Sequence, residues 1–528
     1  MKKLPIGIQS FKELRRLNCV YVDKTKHIHT LIESGKYFFL SRPRRFGKSL
    51  LLSTIEEVFL GNREIFEGLF IYDKINWDSY PVIRLDFGRR GYSTAKELLL
   101  SLNKFIDEVA SGMKITIPEA TLPDRFAELI ICIREKYDRQ VVVLIDEYDK
   151  PIVDHLDNLS VANENRDILR SFYQVLKAID EHLRFVFFTG VSRFSKVSVF
   201  SGLNNLNDIT LNVRYAAICG YTQEELEANF SEYLAEFMRV KRTDRASALS
   251  RIRSYYNGYS WDGVTAVYNP FSTLLFFDNK VFKGYWFATG TPTFLIKKMK
   301  DTDITPVLEP VTIGDEGFDS FDPANINVLP LLFQTGYLTI KSIKENMVSE
   351  RLEYTLGIPN QEVHHAFLSG LLAEYSGYSF GETGAIASKM QEQLIIGDEE
   401  GFSKSMKQMF AHIPYQLHIP REAYYHSLFL LWLKLLGFEV QGEVSTDKGR
   451  IDAVWIWKGH AIVAEIKYNP DEKGGDAVNN LLDKAMSQIE EQKYFERYTG
   501  QYQVTLLAVA LAGKETGCRI KRMSGNLQ

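Results

Sequence analysis

The sequence predicts an α/β chain in three parts: a phosphate-loop domain at 1–215, a mixed helical linking module at 216–385, and an αβββαβ domain at 386–528 with its core at 415–511. Three stretches carry this prediction. An apolar run at Tyr37–Leu40 gives way to Ser41-Arg42-Pro43-Arg44-Arg45-Phe46-Gly47-Lys48-Ser49 before a new apolar pattern opens at Leu50, the order strand, loop, helix. Val141-Val142-Val143-Leu144-Ile145 runs into Asp146-Glu147, as a buried parallel strand does when its C-terminal end opens on a ligand crevice. Near the C-terminus, strand-like stretches bring Asp452 beside Glu465 and Lys467.

A chain of 528 residues exceeds one hydrophobic core, so two to four domains are expected. Its 45% hydrophobic and 13% aromatic content is that of a globular protein rather than a disordered one. A formal charge of −4 and a pI near 6.3 exclude a global basic footprint. Any nucleic-acid contact therefore has to come from a local patch, with salt-sensitive affinity. Cys19, Cys132, Cys219 and Cys518 are too scattered for a zinc ribbon or a CxxC redox pair, which points to a reducing cytoplasm. The N-terminus lacks the apolar core of a signal peptide. The most apolar helix, Leu428–Leu436, is short and carries Lys434, far from the ~20 apolar residues of a membrane span. A soluble cytoplasmic protein without membrane contact is expected.

In a strand-loop-helix of this kind, the amides at the helix N-terminus point outward with partial positive charge, which a phosphate chain can occupy. Gly47 lets the backbone approach, Lys48 reaches the terminal phosphates, and the Ser49 hydroxyl ligates Mg²⁺. The match is partial, because Arg42 stands where the pattern asks for its first Gly and Pro43 has no N–H to donate. An ordinary basic turn is the alternative, and the acidic strand end decides against it. There Asp146 is expected to hold hydrated Mg²⁺ and Glu147 to orient and deprotonate the attacking water.

The motifs LPIGIQSF (Leu4–Phe11), YVDKT (Tyr21–Thr25), FLSRPRRFGKSLL (Phe39–Leu51), LIDEYDKP (Leu144–Pro151), FTGVSRFSKVSVFSGLNNL (Phe188–Leu206), YNGY (Tyr256–Tyr259), YNPFS (Tyr268–Ser272) and GRID (Gly449–Asp452) occur together. In this combination the chain resembles the bacterial AAA-ATPase-like proteins that carry a C-terminal PD-(D/E)XK nuclease-type domain. The resemblance covers most of the chain, and Arg42 looks typical of that family. It implies an AAA-like P-loop NTPase domain of the additional-strand branch, a linking module without known chemistry, and a restriction-endonuclease-like domain. It also implies ATP and Mg²⁺ as cofactors and nucleic acid, DNA or RNA, as partner, with oligomerisation open.

In chain order, His27 and His29 stand two apart, but no further ligand at metal spacing accompanies them, so a metal pair is not expected. Gln9 and Tyr21 either line an adenine pocket or pack helices. Leu50–Leu60 has helical spacing, Pro81–Phe87 reads as a strand, and Ala95–Ala110 and Asp124–Asp138 as helices; the Pro81–Phe87 strand thus lies between the Lys48 loop and Asp146. Asn163–His182 places Ile168, Leu169, Phe172, Val175, Leu176 and Ile179 on one helical face. Phe185–Gly190 is the next buried strand. In the topology that the resemblance implies, its end lies beside the γ-phosphate, so Thr189 or Ser192 can meet the attacking water. Arg193 can act as a phosphate sensor or finger, or else as a surface ion-pair partner. Thr222–Arg242 and Arg245–Tyr256 read as helices. The aromatic loops at Tyr255–Trp261 and Tyr268–Phe271 either stack bases or, the favoured reading, pack a loop onto a helical lid.

In the last domain a helix at Arg421–Leu436, ended by Gly437, precedes strands at Phe438–Val444, Arg450–Trp457 and Ala461–Tyr468. A helix at Asp476–Tyr494 and a strand at Gln503–Leu511 follow. Glu465 and Lys467, two apart, share one strand face while Ala464 and Ile466 point into the core. Asp452 on the neighbouring strand completes a D…ExK set, whose two carboxylates hold Mg²⁺ against a scissile phosphate while the ammonium steadies developing charge. An exposed cross-strand ion pair is the bland alternative. By resemblance, Glu422 is the helix acid of the nuclease fold, and Gln488 with Tyr494 its QxxxxxY helix. The leading expectation is ATP-dependent nucleic-acid processing by an ATPase joined to a nuclease. The alternative is a regulatory ATPase whose last domain binds nucleic acid or protein without cutting. A small-molecule kinase is disfavoured because Glu147 suits water activation.

Overall fold

The computed structural model describes residues 1–193, 199–200, 202–286, 310–318, 321–322, 325–326, 328–376, 380–411, 429, 433, 439–446, 449–457, 459–469, 475–493, 495–512 and 515–523. The chain divides into two compact units, one of residues 1–295 with 309–363, the other of 296–308 with 364–528.

The first unit opens with α1 (Phe11–Arg16), α2 (Thr25–Ser34), β1 (Tyr37–Ser41) and α3 (Lys48–Phe59). It continues through β2 (Val82–Asp86), α4 (Ala95–Gly112), α5 (Leu122–Tyr137), β3 (Val141–Asp146), α6 (Lys150–Val153), α7 (Leu159–Ala178), β4 (Leu183–Gly190) and β5 (Asn207–Asp208). The sheet order is β2-β3-β4-β1-β5, with every pairing parallel. A parallel sheet covered on both faces needs unbroken apolar strands, and β1, β3 and nearly all of β4 are buried along their lengths. Because β4 lies between β1 and β3, the ends of the phosphate-loop strand and of the acidic strand are one strand apart, as the additional-strand reading requires. Thr94, Thr121 and Asn158 cap α4, α5 and α7 by accepting N–H bonds from the first turn. Phe126 of α5 and Phe172 of α7 stack at 4.3 Å.

The helices α8 (Gln223–Asn229), α9 (Ser231–Lys241), α10 (Arg245–Tyr256) and α11 (Pro270–Asn279) follow. The single helix expected over Thr222–Arg242 is broken at Phe230, whose φ of −117° leaves the helical range while its buried ring stacks on Phe277 at 5.2 Å. Here tertiary packing overrides local propensity. After β6 (Val311–Gly314), β7 (Phe321–Asp322), β8 (Asn325–Ile326) and α12 (Val328–Thr335), the hairpin β9 (Thr339–Glu345) and β10 (Leu352–Gly357) turns at Asn346 and forms an antiparallel sheet with β6.

The second unit holds α13 (Gln361–Ser376, which starts in the first), α14 (Phe380–Ile396) and α15 (Glu399–Ala411). Its sheet contains β11 (Glu439–Thr446), β12 (Gly449–Trp457), β13 (His460–Asn469), β14 (Gln503–Ala512) and β15 (Glu515–Arg522), in chain order. The first three strands are antiparallel, β13 and β14 are parallel through the crossover helix α16 (Gly475–Gln492), and β15 returns antiparallel. Val463, Val504, Leu506 and Ala508 form a core with Val478, Leu481, Ala485 and Ile489 of α16. The opposite face of β13 is also buried at Ile462, Ala464 and Ile466. The fifth strand was not expected; its sequence, ETGCRIKR, has too few apolar residues to announce a strand. The Arg421–Leu436 helix with Glu422, and Tyr494, lie outside the described residues apart from isolated positions. No described helix is long and apolar enough to cross a membrane.

Candidate active sites

Where β1 ends, Arg42 N–H donates to the carbonyl of Gly190 (3.2 Å), extending the pairing with β4 by one residue. The Arg42 side chain then turns inward and is wholly buried. It donates to the carbonyls of Ser41 (2.8 Å), Thr210 (3.0 Å) and Tyr215 (3.1 Å), with its guanidinium 3.9 Å from the Trp261 ring. Burial draws its pKa down to about 10. Its guanidinium therefore frames the loop from within, and a direct phosphate contact by that side chain does not fit this geometry. Pro43 is buried, whereas Arg44 and Arg45 face solvent. Arg44 pairs with Asp154 at 3.5 Å, and Arg45, at φ +67°, lies over Phe271 at 4.8 Å. Phe46 is buried edge-on to Tyr259 and Trp261. The aromatic loops thus pack against the phosphate loop itself.

Gly47 caps α3 at φ +88°, a conformation that suits glycine. A Cβ there would meet nothing within 4 Å, so the space beside Gly47 is open. Lys48 beside it is buried, and Nζ donates to the carbonyls of Arg42 (2.8 Å) and Pro43 (2.9 Å). Burial lowers its pKa against the opposing pull of Asp146, Glu147 and Asp149. Ser49 is half-buried in the first turn. An open cradle flanked by a buried cation and a hydroxyl fits a phosphate chain with its metal. Tyr21 lines a narrow apolar cleft next to Gly47 together with Pro5, Val22, Ile218 and Tyr221, while Gln9 is not among its lining residues.

Asp146 ends β3, is buried, and accepts from Thr189 Oγ1 at 2.6 Å. Glu147 follows at φ +53°, a strained conformation for a side-chain-bearing residue. Burial raises its carboxyl pKa, opposed by Lys150, whose Nζ lies 3.6 Å away, and by Lys48. Asp149, which the sequence reading passed over, is buried and accepts from Val191 N (3.0 Å), Ser192 N (2.5 Å) and Ser192 Oγ (2.7 Å). It ties the ends of β3 and β4 together, and burial raises its pKa despite those bonds. The hydroxyls of Thr189 and Ser192, expected to meet water, thus each donate to a carboxylate. Arg193 Nε pairs with Asp208 at 2.5 Å, and its N–H donates to Gln334 Oε1 at 3.0 Å. This is the ion-pair alternative, partly buried rather than on the open surface. His27 is held neutral by burial, its pKa lowered to about 4, and no three-residue metal cluster occurs among the described residues.

In the second unit, antiparallel pairing runs from Trp457↔His460 to Ala453↔Ala464. Just beyond it the Asp452 carboxylate accepts from Ile466 N at 2.8 Å. Glu465 is 1% exposed, and its Oε1 accepts from Lys467 Nζ at 2.9 Å. Its Oε2 is buried without a hydrogen-bond partner. Burial first and the Asp452 charge second raise its pKa to about 7, against the pull of Lys467. Glu465 therefore does not belong to an exposed cross-strand pair, being 1% exposed, while Lys467 beside it is 27% exposed and Asp452 is partly buried. An orphaned buried carboxylate oxygen next to a second carboxylate is a donor set for a hard cation, so Mg²⁺ fits here. Gln488 is half-buried on α16; Glu422 lies outside the described residues.

A model for predicted AAA-ATPases matches residues 5–200, and one for the PD-(D/E)XK nuclease superfamily matches residues 420–520. The "Uncharacterized protein in vnfD 5'region" of Azotobacter chroococcum mcd 1 is 40% identical over 496 residues, 92% of each chain.

Proposed function

The chain belongs to the predicted AAA-ATPase family that carries a C-terminal PD-(D/E)XK nuclease superfamily domain, and on that premise we propose that it couples ATP hydrolysis to metal-dependent cleavage of nucleic acid. The observation that carries the cleavage half is the buried, unpartnered Oε2 of Glu465, whose Oε1 accepts from Lys467 and whose charge is opposed by that of Asp452. Asp452 and Glu465 would hold Mg²⁺, which supplies Lewis acidity and a more acidic bound water. Lys467 steadies the charge that develops on the phosphate, and Ile466 N–H fixes the Asp452 carboxylate.

At the phosphate loop, the amides of 44–49 and Lys48 bind the phosphates. Ser49 and Asp146 would hold the accompanying Mg²⁺, and Glu147 takes the proton of the attacking water. Burial raises the Glu147 pKa, which makes its carboxylate a stronger base toward that proton. Thr189 keeps Asp146 in place, and the cleft lined by Tyr21 suits the adenine ring. The proposed divisions are 1–215 for the ATPase, 216–385 for the linking module and 386–528 for the nuclease, and the proposed setting is the cytoplasm.

The test is incubation of purified full-length protein with single- and double-stranded DNA and RNA, with and without ATP and Mg²⁺. Metal-dependent cleavage that is lost in Asp452→Ala is expected. If the parent cuts nothing, yet it and Asp452→Ala bind nucleic acid equally, the last domain is a binding module.

A further inference from the structure

The phosphate loop is held from outside by residues distant in the chain. Trp286 is buried, and its indole Nε1 donates to the carbonyl of Arg44, in the middle of the loop, at 3.1 Å. The backbone N–H of Trp286 donates in turn to Glu362 Oε1 at 2.9 Å. That same oxygen accepts from Ser272 Oγ (3.0 Å) in the first turn of α11. The Tyr337 ring lies edge-on to Trp286 at 5.3 Å. Gly336 packs close to the adjoining loop residue, since a Cβ there would fall 2.8 Å from Pro43 Cβ. Two segments therefore meet Pro43 and Arg44, with Glu362 behind Trp286, immediately beside the carbonyls of Arg42 and Pro43 that engage Lys48.

We infer that Trp286 and Glu362 are positioning residues that set the shape of the phosphate loop before a ligand arrives, an inference that rests on reading the loop as an ATP site. The physical reason lies in the loop's composition. Arg42 replaces the first glycine and Pro43 lacks an N–H, so neither supplies the backbone freedom or the donor that lets such a loop mould itself to phosphate. A loop held in shape by outside bonds needs less ordering when its ligand binds. Trp286 supplies one such bond at Arg44. Glu362 fixes Trp286 through a main-chain bond, which anchors the indole more firmly than packing alone. Glu362 is itself 1% exposed, with Oε2 unpartnered, so its burial is tolerated for what Oε1 holds. Burial also raises its pKa to about 7, and a protonated Glu362 still accepts at Oε1.

The test is amide hydrogen exchange of residues 42–49 in nucleotide-free, full-length protein. Trp286→Phe keeps a ring against Tyr337 and removes the N–H donor. Exchange in that stretch should accelerate roughly three- to tenfold, the effect of one hydrogen bond, with the melting temperature lowered by no more than a few degrees. KM for ATP should rise by a similar factor with kcat constant, because the bond acts on binding before the chemical step. Parental exchange in a Trp286→Phe protein that stays folded overturns the inference. If Trp286→Phe is unstable, Glu362→Gln against Glu362→Ala decides: Gln, which can keep the acceptor, should exchange like the parent and Ala faster, and equal exchange overturns it. Faster exchange in Trp286→Phe, together with a parent chain that binds no ATP, would leave the strap intact and sink the ATP reading.

Discussion

At the phosphate loop, most charged groups are already engaged by the protein: Lys48 with two carbonyls, Asp146 with Thr189, Asp149 with Ser192, Arg193 with Asp208, and Arg42 with three carbonyls. At the second site, Glu465 keeps one buried oxygen without a partner and lies close enough to Asp452 for the two charges to repel. On the proposed function, the difference reflects what each site would bind, a phosphate chain with its own metal at the first and a bare cation at the second. A phosphate chain brings many acceptors and can exchange places with the carbonyls that hold Lys48, so that site is stable with its donors satisfied internally. A small divalent cation brings only charge, so its site has to keep negative charge uncompensated, at a cost in stability.

The largest expected effect breaks the second site. Asp452→Ala or Glu465→Ala should lower cleavage by about three orders of magnitude or more, since each would remove a proposed metal ligand. Unlike most buried substitutions, Glu465→Gln should leave stability in urea unchanged or raise it near pH 8, because it removes a buried charge. A clear loss of stability in Glu465→Gln would mean that Oε2 has a partner, and the contrast between the sites would fall.

The next effect concerns the loop's frame. Arg42→Ala leaves the carbonyls of Ser41, Thr210 and Tyr215 short of a donor and empties the space over Trp261, so it should cost about 2–4 kcal/mol in chemical denaturation. Arg45→Ala, on an exposed residue of the same loop, should stay within about 0.5 kcal/mol. Equal costs for the two would show that burial of Arg42 adds nothing to the fold.

Much of this was legible in the sequence because it is local. VVVLID announces its own burial, and GKS and the Glu465–Lys467 spacing place their side chains through the 3.6- and two-residue periods alone. Arg42 could be seen to break the glycine pattern, but not why, since its partners Thr210, Tyr215 and Trp261 lie about 170 residues or more away in the chain. Asp149, Trp286 and Glu362 escaped for the same reason. Each is an ordinary residue by itself and gains a role only from contacts 40 to more than 200 residues distant. The break at Phe230 and the strand β15 were missed because packing, not propensity, decides them.

The smallest effect is a pH dependence that sharpens the contrast. Burial and Asp452 raise the Glu465 pKa to about 7 in the folded chain, above the ordinary value of 4.5. Folding therefore favours the protonated form. That contribution to stability is fully present below about pH 4.5 and is lost as the pH rises through about 7. Metal binding runs the other way, because the cation needs the carboxylate. Mn²⁺ or Mg²⁺ affinity at the second site should be level above pH 7 and fall by up to about tenfold per unit below it, measured by calorimetry at fixed salt. Asp452→Asn keeps an oxygen for Ile466 N–H but removes the repelling charge, so the Glu465 titration should move down. Lys467→Met removes the opposing cation and should move it up. Opposite displacements of one titration by two neighbours are what charge–charge coupling at a single carboxylate predicts. A titration that stays in place in both variants would mean that burial alone sets the Glu465 pKa, and that the second site is defined by its dryness rather than by its paired acids.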